Sequence, residues 1–177
     1  MERTTRGRTI RTCACSISTK SRRSSRPTSR HSSTTCRFAT VLFDTHVNQA
    51  SPHDRQLEYC ADAIDGFFHE MQRIGRADDV VMYVHSEFGR RVPENTSLGT
   101  DHGTAQVNFV VGNAVKGGFY GTAPSLSDLV LGDNLESTTD FRHVYASLIA
   151  EWLGVDASKV LGQSFDTLGL FRVQGER

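Results

Sequence analysis

Two Asp/His pairs carry the chemistry most easily read from this sequence, Asp44-Thr45-His46 and Asp101-His102. Carboxylate oxygen with imidazole nitrogen is a donor set suited to Zn²⁺, Mn²⁺ or Fe²⁺. An ion held that way can activate a water molecule or clamp an anionic oxygen. Gly99 and Gly103 flank the second pair and would let backbone approach such an ion closely. The spacing also has a plainer reading. Asp-x-His after a strand is ordinary turn chemistry, and Asp44 could simply cap a turn. Arg90-Arg91 reads equally as a solvated pair or as a bidentate site for phosphate or sulfate. His53 and His69 are expected on the solvated side of a helix, and His143 at the surface between core positions Phe141 and Val144. Lys116-Gly117-Gly118 is too short for a phosphate loop.

The elements that must position these residues follow from apolar periodicity. Phe38–Phe43 is a short, β-prone apolar run and predicts a buried strand, with Asp44 and His46 directly after it. Ser51 as cap, Pro52 at the first helical position and Asp54 three after the cap predict a helix start. Leu57, Cys60, Ala61, Ile64, Phe67, Phe68, Met71 and Ile74 then form one stripe, with Gly75 as terminator. Val80–Val84 predicts a second strand, followed by a polar loop from His85 to about Ala105 that is long enough to suggest function. A third strand is expected over Val107–Val111. A second helix should be capped by Thr138 or Thr139 and end at Gly154, with a short helix near Asp156–Leu161 and a last strand near Leu168–Phe171.

Strands alternating with helices predict an α/β fold with a largely parallel sheet. In such sheets ligands sit beyond the carboxyl ends of the strands. Asp44 and His46 lie there, as do His85, Ser86 and Glu87. If the third strand runs back antiparallel, the loop carrying Asp101 and His102 opens on the same edge, and the two pairs can converge. Two long helices and three or four strands are few for a sheet covered on both faces, so residues 38–177 read as part of a larger domain.

Composition divides the chain. Residues 1–37 hold ten Lys/Arg and one acid, Glu2, a net of +9, and the remainder is −9, so the formal zero describes neither part. Sixteen of those 37 residues are Ser or Thr and the apolar ones follow no period. Such a segment cannot bury enough apolar area to offset backbone ordering, which costs roughly 1–2 kcal/mol per residue, and is expected to be disordered. It could instead be an arm for nucleic acid or another polyanion, without the aromatic residues needed to stack bases. Three of the four cysteines, Cys13, Cys15 and Cys36, lie in it, which is not a disulfide framework. No apolar run approaches the roughly 20 residues that span a bilayer, so no membrane association is expected. No hydrophobic stretch follows Arg22-Arg23, so they make no usable export signal.

Several motifs in order carry a resemblance: Phe43-Asp44-Thr45-His46-Val47-Asn48-Gln49, Ser86-Glu87-Phe88-Gly89-Arg90-Arg91, Gly99-Thr100-Asp101-His102-Gly103-Thr104-Ala105, Val115-Lys116-Gly117-Gly118-Phe119-Tyr120-Gly121 and Thr138-Thr139-Asp140-Phe141-Arg142. From about Phe38 to Gly154 the chain resembles the family called domain of unknown function 1501, which is similar to the alkaline phosphatase and sulfatase superfamily. The resemblance implies an α/β/α sandwich, of which this chain would be the C-terminal part. It also implies a divalent metal cofactor such as Zn or Mn, and small-molecule or polymeric ester substrates. Carried over by position, it names Asp44, His46, Asp101 and His102 as ligands, although the superfamily's first pair is usually spaced further apart than Asp-x-His. Glu87 and Arg90 match the motif and are expected to bind an anion or to support the ligands from outside. The superfamily's nucleophile belongs to an N-terminal half for which residues 1–37 do not stand in. The resemblance therefore implies a fragment, inactive alone, of a metal-dependent phosphatase/sulfatase-like hydrolase, with residues 1–37 as the product of a frameshift or mis-start.

Overall fold

The computed structural model describes residues 43–172 and the backbones of two strands, β1 (Ala14–Lys20) and β2 (His31–Arg37). The strand expected over Phe38–Phe43 lies, apart from Phe43, outside the described residues, and Phe43 joins no strand. The disorder expected of residues 1–37 also lies outside them, except at β1 and β2, which pair antiparallel from Ala14 opposite Arg37 to Lys20 opposite His31. Pairing of this kind satisfies backbone N–H and C=O groups without requiring a buried face, a contribution that composition alone does not weigh.

Helix α1 (Ala50–Arg73) follows the predicted stripe. Ile64, Phe67, Phe68 and Met71 pack against Val80 and Met82, while Leu57 and Ile74 at the two ends of the stripe stay exposed. The start differs from expectation. Gln49 is the cap and makes no side-chain capping bond, so Ser51 and Pro52 fall inside the first turn, where proline's missing N–H has no partner to lose. Gly75, at φ 67°, ends the helix as predicted.

A single 3₁₀ turn (Ala77–Asp79) leads into β3 (Val80–His85). Alternation along β3 serves two cores. Val80 and Met82 face α1. Val81 faces Trp152, Leu170 and Phe171, with Val144 and Leu148 behind, and Tyr83 meets Tyr145 edge-on. A helical layer therefore covers each face of β3. After β3 come the two-residue strands β4 (Gly89–Arg90) and β5 (His102–Gly103), then β6 (Phe109–Val111).

The main sheet has the order β2-β1-β3-β6, and every pairing in it is antiparallel. This corrects the expectation of a largely parallel sheet. Parallel neighbours need a crossover of a dozen or more residues, usually helical. The connection from β3 to β6 contains only the β4–β5 hairpin and returns the chain alongside itself. The protein is a mixture of helices and small antiparallel sheets.

The second helical region begins at α2 (Phe141–Ser147), capped by Asp140, whose carboxylate accepts from Arg142 N–H, rather than by Thr138 or Thr139. A π-helical turn (Leu148–Trp152) continues it. Ser147, fully buried, donates to His143 O at 2.8 Å and accepts from Leu168 N–H at 2.7 Å. Glu151 accepts from Gly169 N–H (2.9 Å) and Phe171 N–H (3.2 Å). These bonds tie the C-terminal segment down. The strand expected there is a single bridge, Val115 to Phe171. Helix α3 (Ala157–Leu161) is capped by Asp156.

Candidate metal centre

Because α1 doubles back into β3 through one turn, the segment before α1 meets the loop that leaves β3. Asn48 N–H donates to Ser97 O (2.9 Å) and Gln49 N–H to Leu98 O (2.8 Å). Thr100 Oγ1 donates to Gln49 Oε1 at 2.9 Å. Asn48 and Leu98 both adopt positive φ, 47° and 58°, a strained conformation for non-glycine residues that the mutual docking holds in place. Gly99 and Gly103 serve this contact. A Cβ on Gly99 would stand 2.3 Å from the His46 carbonyl carbon, and one on Gly103 2.4 Å from that of Arg90. Backbone meeting backbone, rather than backbone meeting an ion, is what excludes a side chain at both positions.

This docking brings Asp44, His46 and His102 together. Asp44 Oδ1 lies 2.8 Å from His46 Nε2 and 2.7 Å from His102 Nε2, and the two imidazole nitrogens are 3.0 Å apart. The three donor atoms form a closed triangle of a kind that could hold a metal ion. Ligand bonds of about 2.0–2.2 Å place neighbouring donors roughly 3.0–3.5 Å apart, so an ion would fit after spreading the triangle by a few tenths of an ångström.

Asp101 is not in the triangle. Its Oδ1 lies 3.5 Å from His46 Nδ1, the other ring nitrogen, and accepts from Asn95 Nδ2 at 3.1 Å. A carboxylate at Nδ1 favours the tautomer with its proton there and leaves Nε2 as a lone pair aimed at the triangle. A lone pair facing a carboxylate oxygen is repulsive unless a proton or a cation lies between them. The donor set therefore fits a divalent cation chemically as well as in size.

A proton on the facing ring nitrogens is the alternative to an ion: burial pushes the Asp44 carboxyl up, but hydrogen bonds and charge from His102 and His46 then outweigh it and hold the group below its ordinary value. Asp101 is also held low, first by the Asn95 hydrogen bond and then by His46 and the Arg91 charge.

Arg90 braces the triangle. Its Nη2 donates to Phe43 O (2.9 Å) and Asp44 Oδ1 (3.1 Å), and its Nη1 donates to Thr100 O (2.7 Å) and approaches His46 Nε2 at 3.4 Å. Phe88 stacks on His102 with ring centroids 3.6 Å apart, and the Arg90 guanidinium lies over the Phe88 ring at 5.3 Å. Asn95 fixes the loop's shape, since its Oδ1 accepts from Ser97 N–H (2.9 Å) and Gly99 N–H (3.1 Å). Motif spacing passes over Phe88 and Asn95. Only the Asn in a Gly- and Ser-bearing loop carried a signal, that of an Asx turn. Glu87 is exposed and makes no hydrogen bond or ion pair among the described residues.

Of the remaining histidines, His69 is solvated as expected, paired with Asp65 at 3.4 Å. His53 departs from expectation. It sits half-buried, edge-on to Phe43, with its Nδ1 buried and unpartnered. His143 is likewise part-buried, since its Nδ1 donates to Asp166 O at 2.7 Å and its ring meets Phe165.

The family described as protein of unknown function (DUF1501) matches residues 27–165. The match includes every residue of the centre and begins upstream of Phe38, inside the basic segment. No curated protein and no solved structure matches the chain.

Proposed function

The chain belongs to the DUF1501 family, and we propose that its centre holds a divalent metal ion, Zn or Mn, on Asp44 Oδ1, His46 Nε2 and His102 Nε2, in the service of phosphoric or sulfuric ester hydrolysis. The observation that carries this reading is the donor triangle, with edges of 2.7, 2.8 and 3.0 Å. When bound, the ion supplies Lewis acidity toward an ester oxygen.

The chain's own residues prepare the site. Asp101 orients the His46 ring from its far side. Arg90 holds the Asp44 carboxylate and the Phe43 and Thr100 carbonyls in one clasp. Phe88 covers one face of His102. The ester class comes from the resemblance to the alkaline phosphatase and sulfatase superfamily. Helical layers on both faces of β3 support that placement, and the antiparallel pairing of the strands weighs against it. The reading assigns no nucleophile to this chain.

Calorimetric titration of the full chain with zinc and with manganese tests the metal site. Stoichiometric binding that disappears in His102→Ala is the expected result. Absence of binding, or equal binding by wild type, His102→Ala and Asp44→Ala, would overturn it.

A further inference from the structure

Strand register sets two of the four cysteines opposite one another. In the antiparallel pairing of β1 with β2, Cys15 is the register partner of Cys36. Spacing along the sequence gives no sign of this, because the partner is chosen by the strand pairing. Directly opposite residues of an antiparallel pair share one face of the sheet. Their Cα atoms stand about 5.5 Å apart where the two exchange ladder hydrogen bonds and about 4.5 Å apart where they do not. A disulfide joins Cα atoms roughly 4.4–6.8 Å apart. Both kinds of pair lie inside that window, so a bridge between these positions needs no change of register.

The place of the pair in the sheet gives the bridge something to do. β2 is an edge strand, and β1 is its neighbour in the sheet. The cysteines occupy the row next to the last one of the ladder, which is Ala14 opposite Arg37. In the same row Cys15 is opposite Val84 of β3, one residue before the strand ends at His85. A covalent link there would fasten the edge strand to the sheet at the end from which the loop of the metal centre departs. Cys60, the cysteine on α1, is free and part-buried, and burial pushes its thiol up. A thiol held protonated is a poor nucleophile, so Cys60 serves as an internal control.

We propose that Cys15 and Cys36 are a redox-sensitive pair that closes into a cross-strand disulfide and fastens β2 to β1. The oxidant is a small-molecule disulfide. The thiolate of one cysteine attacks a sulfur of that disulfide, forming a mixed disulfide and releasing one small thiol. The thiolate of the other cysteine then attacks the protein sulfur of the mixed disulfide and releases the second small thiol. The two cysteines give up two protons and two electrons, and the small disulfide is reduced to two thiols. An excess of small thiol reverses both steps. The closed form constrains the unfolded chain between residues 15 and 36 and so resists unfolding more than the open form. The inference is independent of the metal-centre reading.

The test uses the full chain, fully reduced and dilute, as wild type, Cys13→Ser, Cys15→Ser and Cys36→Ser. Each is equilibrated with mixtures of reduced and oxidised glutathione, quenched with acid, alkylated and digested with trypsin. Mass spectrometry then looks for residues 12–20 joined to residues 31–37, the tryptic peptides that carry these cysteines. Because Cys13 shares the first peptide with Cys15, the variants decide which of them is joined. The expected result is the joined peptide in wild type and in Cys13→Ser, its loss in Cys15→Ser and Cys36→Ser, and an alkylated Cys60 throughout. A bridge that persists in Cys15→Ser, a bridge to Cys60, or links only between chains would overturn the assignment. Wild type alone supplies a second measurement, independent of how the variants fold. The equilibrium constant for closure against glutathione should be at least roughly tenfold larger in native buffer than in concentrated urea, because pairing in register raises the effective concentration of one thiol at the other. Equal constants in the two solvents, or no closure in native buffer, would reject the inference.

Discussion

Replacing Asp101 by Asn tests the division of labour in the centre. The substitution keeps the side chain's shape and an oxygen able to accept from Asn95, and it removes the negative charge facing His46 Nδ1. A carboxylate that orients a ligating imidazole from outside commonly contributes 10- to 100-fold in metal affinity. Here the contact is long, 3.5 Å, and the Asp101 side chain is 52% exposed, so solvent screens it and the low end applies. We expect a loss of roughly tenfold or somewhat less. Asp44→Asn alters a donor inside the triangle and should remove measurable binding. The assay is competition with a chromophoric zinc chelator at one fixed pH, using the full chain and both variants. If Asp101→Asn lost as much affinity as Asp44→Asn, Asp101 would itself be a ligand and the orienting role would be wrong. If it lost none, the His46 ring would be held by other contacts.

Other perturbations probe the frame. Ser147→Ala leaves the Leu168 N–H without its acceptor in a fully buried position and should cost about 1–3 kcal/mol in urea unfolding; a change under a few tenths would refute the tie to the C-terminal segment. Met82→Ala opens a cavity between β3 and α1 and should cost about 2–5 kcal/mol by the same measurement. Gly103→Ala drives a methyl group into the Arg90 carbonyl; it should separate β4 from β5 and weaken zinc binding, and unchanged affinity would show that the hairpin does not set the triangle. Hydrogen bonds from Arg142 hold the Asp140 carboxyl down to about 2, from 3.8. Because the folded value is the lower one, the stability this carboxylate contributes is present above 3.8 and lost as pH falls through about 2. Asp140→Asn should therefore flatten the acid limb of the unfolding profile in that window, and an unchanged limb would contradict the assignment.

Much of the frame was legible because it depends on periodicity. The stripe from Ile64 to Met71 meets one partner face and the run Val80–Val84 is buried on both of its faces, so a helical period and a continuous apolar run identify them. The Ser51 cap was misplaced because local capping chemistry yielded to docking of Gln49 against the 95–99 loop, which fixes where the chain enters the helix. Strand direction was not legible, since it depends on whether a connection crosses over or turns back, and a polar loop gives no sign of either.

At the site, Asp44, His46 and His102 converge because the segment before α1 docks on the loop that leaves β3. Which member of the Asp101-His102 pair joins the triangle does not follow from spacing. Adjacent residues on an extended backbone leave it in opposite directions, so one neighbour can reach the triangle while the other approaches His46 from its far side. The glycines were conspicuous for a different reason from the one spacing suggested. Their constraint comes from the backbones of His46 and Arg90, which are remote in sequence.

The most direct test of the central claim is X-ray absorption at the zinc edge of the zinc-loaded full chain, compared with His46→Ala. The account predicts a coordination shell containing two imidazoles and a carboxylate oxygen in the wild type, with one imidazole fewer in the variant. A shell without imidazole, or one identical in the two proteins, would contradict it.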